Sequence, residues 1–565
     1  YVVDYIVDLA KRSEKRLMIR LVKGAYWDSE IKKAQIEGMT DYPVFTRKVH
    51  TDLSYIACAK KLFIALDETS NTDMSATERF DILELFRDPN KNICTALKRH
   101  YIEQKSPLTE RKLTIATLRE TLISYMADNY KLVLEGLHQK NISSHDDKTL
   151  KATVLVRILY YMNVLLICRY QLYMHAPENV WKEIHLIYKY AKTNDLLDFQ
   201  VRCKFSSKKQ MTSVLEAYTR ILLLSATDPY QWRQSEQNSL NKVMEIWRQF
   251  PIILDYDKIP AEKFGIYIID LNQDLPPTSY NFKKDPITNS CIAFNLANNV
   301  KHIQDILSKK KDNDLKSRIQ NYGDPEYNVN TPIMNKLIKI WSMQITRNDT
   351  RFPIDAKIKI TFGLNSAHYY INDQKEFVSH PPNSAAGTEH KKTEPLSGAL
   401  ELPSFEIDDF EDGEEDETIP VEIKDKDEAA TENDNSALVE NEDPYHVYDY
   451  NIENMSPNGL CIAIRDHSFP PFNAGEIVAF KNIMNDDKQW SIGAVRWLKR
   501  QSDDLFQIGI QLISPVAKAA GMQMMRDDKA IGHLRRCLVI PAMPDLNLPP
   551  MLITATPPLH SDKVI

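Results

Sequence analysis

The spacing of apolar residues changes along the chain, and each change predicts a different architecture. Residues 1–63 show short alternating patterns that predict a helix at 2–11, a buried strand at 16–23 and helices at 27–39 and 47–63. One strand among three helices is typical of a slice of a parallel α/β fold. We therefore predict that this segment is an α/β-barrel fragment.

From residue 74 to residue 250 the apolar residues recur every three to four positions, which predicts helices throughout. Ser75 and Glu78 have the spacing of a capping box ahead of the first helix. Later helices are predicted at 154–173, 180–192, 211–224 and 236–249. The pattern predicts an all-α helical array whose Trp, Tyr and Met stripes form a packed core rather than a cofactor site.

Beyond residue 250 the period shortens towards two, which indicates strands. Residues 251–340 mix short strands with helices and predict a mixed α/β connector. Residues 341–372 and 445–525 predict a small antiparallel β-barrel, with one long strand over 357–371. The whole chain is thus predicted to be a multidomain α+β protein.

Charge is concentrated in one place. The formal net charge is -7, but residues 401–443 hold 19 Asp and Glu against two Lys. Like-charge repulsion and a shortage of aromatic residues keep such a tract solvated. We predict that residues 373–444 are a disordered acidic insertion in the barrel, either without a ligand or as a partner-binding tail, and that 526–565 form a C-terminal extension.

Cysteine usage and hydropathy bear on location. The seven cysteines are scattered and include no C-x-x-C pair, which excludes a disulfide framework and a zinc ribbon and is typical of a reducing compartment. The most apolar stretch, 152–170, is interrupted by Arg157, Asn163 and Arg169. Charges near the middle of a membrane span cost several kcal/mol each. We therefore expect a cytoplasmic protein without a membrane span.

Two arginines, Arg347 and Arg351, stand four residues apart just before the predicted barrel strand. Guanidinium groups so placed can converge on one anion, each offering a bidentate fork to phosphate and a flat face to a base. The same spacing occurs at Arg496 and Arg500, and a solvated surface pair is the ordinary interpretation of any one of them.

The hexapeptide N-M-S-P-N-G lies on a predicted strand-to-strand turn of the same barrel. Asn454 and Ser456 alternate onto one side of the chain, where both could meet a guanine edge. Gly459 permits a positive φ and a close approach of the backbone. An ordinary Asx-type hairpin turn is the alternative interpretation.

Together with the strands that follow, these motifs resemble the PilZ domain. The resemblance is carried by NMSPNGLCIAI, FNAGEIVAF, WSIGAVRWLKR and FQIGIQLIS. It implies a small β-barrel that binds the bacterial messenger cyclic di-GMP, with Arg347 and Arg351 gripping phosphates and stacking on guanine. Asn454, Ser456 and Gly459 would hold a guanine edge.

The chain departs from the PilZ pattern in two ways. The two halves of the motif lie about a hundred residues apart, where the family usually keeps them close. Asn454 also replaces the commoner Asp, and an amide holds guanine N–H donors less strongly than a carboxylate does. A long loop between the halves costs little, roughly 0.6 kcal/mol per doubling of its length.

A second constellation ends the strand predicted at 16–23. It offers two positive charges, one glycine and flat apolar area, on Arg20, Val22, Lys23, Gly24, Tyr26 and Trp27. Strand ends are where α/β barrels place their sites, so an anionic or aromatic cofactor suits this segment. A charged strand end without a ligand is the commoner arrangement.

The surrounding sequence resembles the proline dehydrogenase barrel of bifunctional proline utilization A. The resemblance is carried by RLMIRLVKGAYWDSEIKKAQ and DYPVFTRKVHTDLSYIACAKKLF. The resemblance implies that those six residues are the remnant of an FAD site. It stops near Phe63, whereas a barrel of this kind needs about 250 residues. Hydride transfer needs both reactants held within about 3.5 Å, which a quarter of a barrel cannot arrange. We predict no proline oxidation.

Three functions compete. The first is a non-enzymatic cyclic di-GMP receptor that requires no cofactor and whose helices relay the signal or dock an unidentified protein partner. The second is a helical scaffold with a barrel that has lost its ligand, and the third is an FAD-dependent proline dehydrogenase. We favour the first, with no nucleic-acid polymer as partner. His50, His446 and His467 lack ligand-spaced or triad partners, so we expect no metal and no catalytic residue.

Overall fold

The structure is a computed structural model of the 565-residue chain. It describes residues 55–102, 104, 108–139, 145–202, 211–258, 264–280, 288–311, 329–342, 351–378, 445–465, 472–482, 489–502, 505–526, 529–543 and 549–555. The strand predicted at 16–23, the helices predicted at 2–11 and 27–39 and the acidic tract at 401–443 lie outside the described residues.

The first described part, up to Trp247, is built almost wholly from helices, as predicted. Its helices are α1 (Tyr55–Asn71), α2 (Ala76–Arg99), α3 (Glu110–Gln139), α4 (His145–Gln171), α5 (Val180–Thr193), α6 (Val214–Ala226) and α7 (Gln234–Trp247). A short antiparallel hairpin joins α5 to α6 through β1 (Val201–Arg202) and β2 (Met211–Thr212).

The capping box predicted at the start of α2 is confirmed. The Ser75 backbone N–H donates to Glu78 Oε2 at 2.9 Å, and the Glu78 backbone N–H donates to Ser75 Oγ at 3.3 Å. Leu83 and Phe86, on the face that follows, are fully buried. Capping and burial therefore agree on where this helix begins and which face packs inward.

The helix predicted at 211–224 begins later than expected. Met211 belongs to β2, and the Glu216 backbone N–H donates to Ser213 Oγ at 3.2 Å, so Ser213 is the N-cap of α6. The serine hydroxyl satisfies one of the unpaired N–H groups of the first turn, which fixes the helix start at this residue.

Several charged residues inside the helical part form ion pairs. Arg157 Nε lies 3.0 Å from Glu84 Oε1, Lys131 Nζ lies 2.7 Å from Glu183 Oε2, and Arg169 pairs with Glu120. Among the described helices, Asp146–Gln171 is long and apolar enough to cross a bilayer, and 72% of its most apolar stretch is buried inside the protein.

A mixed segment follows and packs onto the helices. It contains an antiparallel sheet in the order β3-β6-β4-β5, flanked by two helices. Its elements are β3 (Ile252–Asp255), β4 (Ile266–Asp270), β5 (Thr278–Ser279), β6 (Cys291–Asn295), α8 (Ala297–Lys311) and α9 (Thr331–Ser342). Tyr267, Phe294 and Trp341 belong to the same hydrophobic core as the helices, and Trp341 Nε1 donates to the Ala226 carbonyl at 3.0 Å.

The third part is a closed antiparallel barrel of six strands, as predicted. Its strands follow one another around the barrel in the order β10-β11-β12-β9-β8-β7. They are β7 (Phe352–Phe362), β8 (Tyr448–Ser456), β9 (Gly459–Ile464), β10 (Ile477–Asn482), β11 (Ser491–Ser502) and β12 (Leu505–Ser514). Alternate residues such as Ile358, Ile462 and Ile508 fill the interior, so the residues between them face outward.

The single strand predicted over 357–371 is wrong. Strand β7 ends at Phe362, Gly363 adopts a φ of 87°, and α10 (Leu364–Ile371) follows. A positive φ is readily adopted by glycine, which turns the chain out of the sheet. Ala367 and His368 of α10 are then buried, and His368 Nε2 donates to the Ala520 carbonyl at 3.1 Å.

A second, three-stranded sheet lies beyond the barrel in the order β13-β14-β15. Its strands are β13 (Lys518–Arg526), β14 (Lys529–Ile540) and β15 (Met551–Thr554). Arg526 pairs with Lys529, so the boundary predicted at 525/526 falls at the tip of a hairpin. The segment predicted as a C-terminal extension therefore contributes strands to this sheet.

Tyr173 joins the helical part to the barrel. It follows α4 with a φ of 56°, is buried, and belongs to the hydrophobic core of the barrel. Its carbonyl accepts from the Arg500 backbone N–H at 2.8 Å, and its hydroxyl donates to the Trp232 carbonyl at 3.1 Å. A residue of the helical part is thus built into the barrel.

Candidate ligand-binding site on the barrel

The register of β7 and β8 brings together two motifs that are far apart in sequence. These strands are antiparallel neighbours, with Phe352 opposite Met455 and Pro353 opposite Asn454. Arg351, which is exposed, directly precedes Phe352 and therefore lies at the end of β8 that closes with Ser456. Arg347 lies outside the described residues.

The turn that joins β8 to β9 is tight. Ser456 and Gly459 face each other across a two-residue loop, and Ser456 Oγ donates to the Gly459 carbonyl at 3.2 Å. The glycine is required by a close approach rather than by its φ, which is not positive. A Cβ on Gly459 would lie 2.3 Å from the Ile510 carbonyl oxygen of β12.

Asn454 and Ser456 share one face of the barrel wall. Asn454 is opposite Cys461 and Ser456 is opposite Gly459, whereas Leu460 belongs to the barrel interior. Residues paired across strands point to the same side, so both polar side chains lie on the outer face. The exposed Arg351 neighbours that same face, on which Asn454 and Ser456 are half-buried.

Beside Asn454 lies a hydrogen-bonded group that no sequence motif predicts, formed by Glu453, Cys461 and Gln507. Gln507 Nε2 donates to Glu453 Oε2 at 2.6 Å, and Cys461 Sγ lies 3.6 Å from the same oxygen. Burial raises the pKa of the Cys461 thiol to about 12, Glu453 raises it as well, and Arg351 lowers it. Arg351 and Glu453 therefore both act on one thiol, which stays protonated and donates.

Trp497 covers the neighbouring part of the outer face and was also missed. A Cβ on Gly509 would lie 2.0 Å from Trp497 Nε1, so the indole rests against the bare backbone of β12. The sequence signal was available in FQIGIQLIS, because glycine at an outward position of a strand often marks the close approach of another group.

The second constellation lies outside the described residues. It consists of Arg20, Val22, Lys23, Gly24, Tyr26 and Trp27. His50 and His467 also lie outside them. Within the described ranges, no group of three or more His, Cys, Asp or Glu side chains is arranged to hold a metal ion.

A small cavity of about 20 Å³ lies among the helices, lined by residues that include Tyr160, Arg220, Glu245 and Arg248. That volume holds about one water molecule. That volume is too small for a nucleotide, so this cavity is not a candidate site for a ligand of that size.

Comparison with known families decides what this barrel is. Residues 266–519 match the family described as "Cyclic-di-GMP receptor FimW, middle PilZ domain". The barrel is similar to a PilZ domain. The match contains all six strands of the barrel and begins at β4, within the segment predicted as a connector. Residues 53–253 match "Cyclic-di-GMP receptor FimW, N-terminal domain".

One curated relative is similar along most of this chain. Cyclic-di-GMP receptor FimW of Pseudomonas aeruginosa is 25% identical over 507 residues, which is 89% of this chain and 81% of that protein. No solved structure matches the chain.

A segment similar to proline dehydrogenase precedes the part that is similar to FimW, as the resemblance implied. Residues 1–79 match the family described as "Proline dehydrogenase". Bifunctional protein PutA is 74% identical over 62 residues in Klebsiella aerogenes and 77% identical over 61 residues in Salmonella typhimurium. The chain spans only 5% of the length of these proteins.

The two matches meet on helix α1. The first FimW match begins at residue 53 and the proline dehydrogenase match ends at residue 79. Cys58, Leu62 and Leu66 of α1 are buried in the core that the helices share. The helix at the junction is therefore packed as part of the helical domain.

Proposed function

We propose that this chain is a receptor for cyclic di-GMP that works by binding rather than by catalysis. The observation that carries the proposal is the register of β7 and β8, which sets Arg351 beside the Asn454-x-Ser456-x-x-Gly459 turn. The similarity to a protein named cyclic-di-GMP receptor along most of its length supports it.

The chemistry of the site suits a cyclic dinucleotide. The Arg351 guanidinium can donate two parallel hydrogen bonds to a phosphate and stack on a purine. Asn454 and Ser456 supply neutral donors and acceptors on the same face, and Gly459 leaves no side chain between the turn and β12. Arg347, four residues before Arg351 in the sequence, is the proposed second arginine.

Binding is best tested by calorimetric titration of the full chain with cyclic di-GMP. Removing a charged hydrogen-bond donor costs about 1.5–3 kcal/mol, so Arg351→Ala should weaken binding about tenfold or more. Arg465→Ala is a matched control, because this exposed arginine follows the opposite end of β9. Equal binding by wild type and Arg351→Ala would contradict the proposed site.

The alternative of a barrel without a ligand makes a different prediction. A folded wild-type chain that releases no heat with cyclic di-GMP would favour a helical scaffold. The packing of Tyr173 into the barrel core suits either function, since it connects the barrel to the helices.

The proposed route from ligand to helices runs along β11 and β12. His175 Nε2 lies 2.8 Å from Gln501 Oε1, Gln501 Nε2 donates to Gln507 Oε1 at 2.6 Å, and Gln507 reaches Glu453. This series of side chains joins the helical part to the ligand face. We propose that the helical part passes ligand occupancy to a protein partner.

We propose that the N-terminal segment oxidises no proline, because from α1 onward the chain continues as helices that match a FimW domain rather than as further strands of an α/β barrel. Stoichiometric flavin absorbance in the purified chain would overturn this. We also propose a cytoplasmic location, which is supported by cysteine usage: the six described cysteines form no disulfide.

A further inference from the structure

Strand β8 carries an extra residue at the candidate site, and that residue is a glutamate. Ile452 pairs with Ile462 and Asn454 pairs with Cys461, so two residues of β8 oppose one residue of β9. Glu453 is the inserted residue of this β-bulge. Bulges re-aim side chains and are common beside functional sites.

The bulge turns the Glu453 carboxylate to the outer face. Its Oε2 atom accepts from Gln507 Nε2 at 2.6 Å and lies 3.6 Å from Cys461 Sγ. Both partners alternate with interior residues of their strands, so both are on the outer face. The contact with Gln507 fixes Oε2. Within the described residues, Oε1 accepts no hydrogen bond.

We propose that Glu453 accepts hydrogen bonds from the Watson–Crick edge of a guanine of the bound dinucleotide and thereby selects guanine over adenine. This inference rests on the proposed function. Guanine presents two adjacent donors on that edge, N1–H and N2–H, whereas adenine presents an acceptor beside its amino group. An ionised carboxylate only accepts, so it complements guanine and opposes adenine.

Glu453 supplies what the neighbouring motif residue lacks. Asn454 offers one amide oxygen and no charge, and the adjacent carboxylate comes from the bulge on the same face. Arg351 lies close enough to act on the Cys461 thiol that Glu453 also contacts. A positive group for phosphate and a negative group for a base edge therefore flank a single cysteine.

The sign of the effect of neutralising Glu453 tests the proposal. A carboxylate that merely lies near the ligand repels its phosphates, so its neutralisation tightens the binding of any cyclic dinucleotide. A carboxylate that accepts from guanine has the opposite effect on cyclic di-GMP alone. Glu453→Gln keeps the shape of the side chain and the oxygen that accepts from Gln507, so the barrel fold is retained.

The experiment titrates the full chain calorimetrically with cyclic di-GMP and with cyclic di-AMP. We compare wild type, Glu453→Gln and the control Asp449→Asn, which removes an exposed carboxylate four residues away on β8. Thermal unfolding of each variant verifies folding.

The expected result is that Glu453→Gln binds cyclic di-GMP about tenfold more weakly and binds cyclic di-AMP as well as wild type or better. Asp449→Asn should change neither affinity by more than about twofold. Tighter or unchanged binding of cyclic di-GMP by Glu453→Gln overturns the role of Glu453 while leaving the receptor function intact. Failure of wild type to bind cyclic di-GMP overturns both.

Discussion

The helical part and the barrel differ in whether a key charged side chain is buried in an ion pair or exposed without one. In the helices, Lys131 is buried between Asp128 and Glu183, so each charge has a partner of opposite sign. On the barrel, Arg351 is exposed and makes no ion pair within the described residues. Removing one partner of a buried ion pair leaves an uncompensated charge in the core, whereas an exposed guanidinium is available to a ligand. This contrast is why we assign binding to the barrel.

The largest effect is expected from breaking a buried pair. Lys131→Met leaves Asp128 and Glu183 buried without their cation, which should lower the free energy of unfolding by about 3–5 kcal/mol in urea titrations. The matched control is Lys91→Met on the exposed face of α2. A loss below 1 kcal/mol at Lys131 would mean that the helical core does not depend on this group.

A change at the barrel turn should cost somewhat less. In Gly459→Ala the new Cβ meets the Ile510 carbonyl, a backbone atom that cannot move without shifting β12. Overpacking of this kind costs about 1–3 kcal/mol, and we expect a value near the top of that range. Gly521→Ala is the milder control, because its Cβ meets only side chains. Equal stability of the two variants in urea would refute the close approach.

The helical core should also weaken in acid through His185. Burial lowers the pKa of this histidine to about 4. Its Nε2–H donates to the Leu275 carbonyl at 3.0 Å, so in the neutral ring Nδ1 accepts from the Tyr218 hydroxyl at 2.9 Å. The unfolded chain binds the proton with a pKa near 6.5, so stability is full above that pH and falls as the pH drops from about 6.5 towards 4.

Between pH 7 and pH 5 this group alone should remove about 2 kcal/mol of stability. Urea unfolding of wild type and His185→Gln at the two pH values measures how much of the loss of unfolding free energy comes from His185. The same pH dependence in both proteins would show that His185 does not contribute.

The smallest effect is expected where the two parts meet through exposed side chains. Gln501→Ala removes the exposed contacts to His175 and Gln507 but leaves the backbone hydrogen bond between Tyr173 and Arg500. Exposed hydrogen bonds contribute little, so the free energy of unfolding should change by less than about 1 kcal/mol. A larger loss by chemical denaturation would mean that these side chains hold the interface.

Much of the fold could be predicted from local patterns. The 3.6-residue period and the Ser75–Glu78 box identified helices, and the alternation in segments such as LFQIGIQLIS identified barrel strands, because burial of one face imposes these periods. The errors occurred where one residue ended an element. The strand predicted over 357–371 ends before Gly363 and a helix follows it, and the helix predicted from 211 begins only after its N-cap Ser213.

The sequence by itself determined the residue types of the site, the strands of a small antiparallel barrel and the two resemblances, because each of these depends on short contiguous segments. Only the tertiary structure decided that Arg351 stands beside the Asn454 turn, that Gly459 is required by β12, and that a bulge adds Glu453 to the same face. Strand pairing sets these contacts, and it joins residues that no local pattern connects.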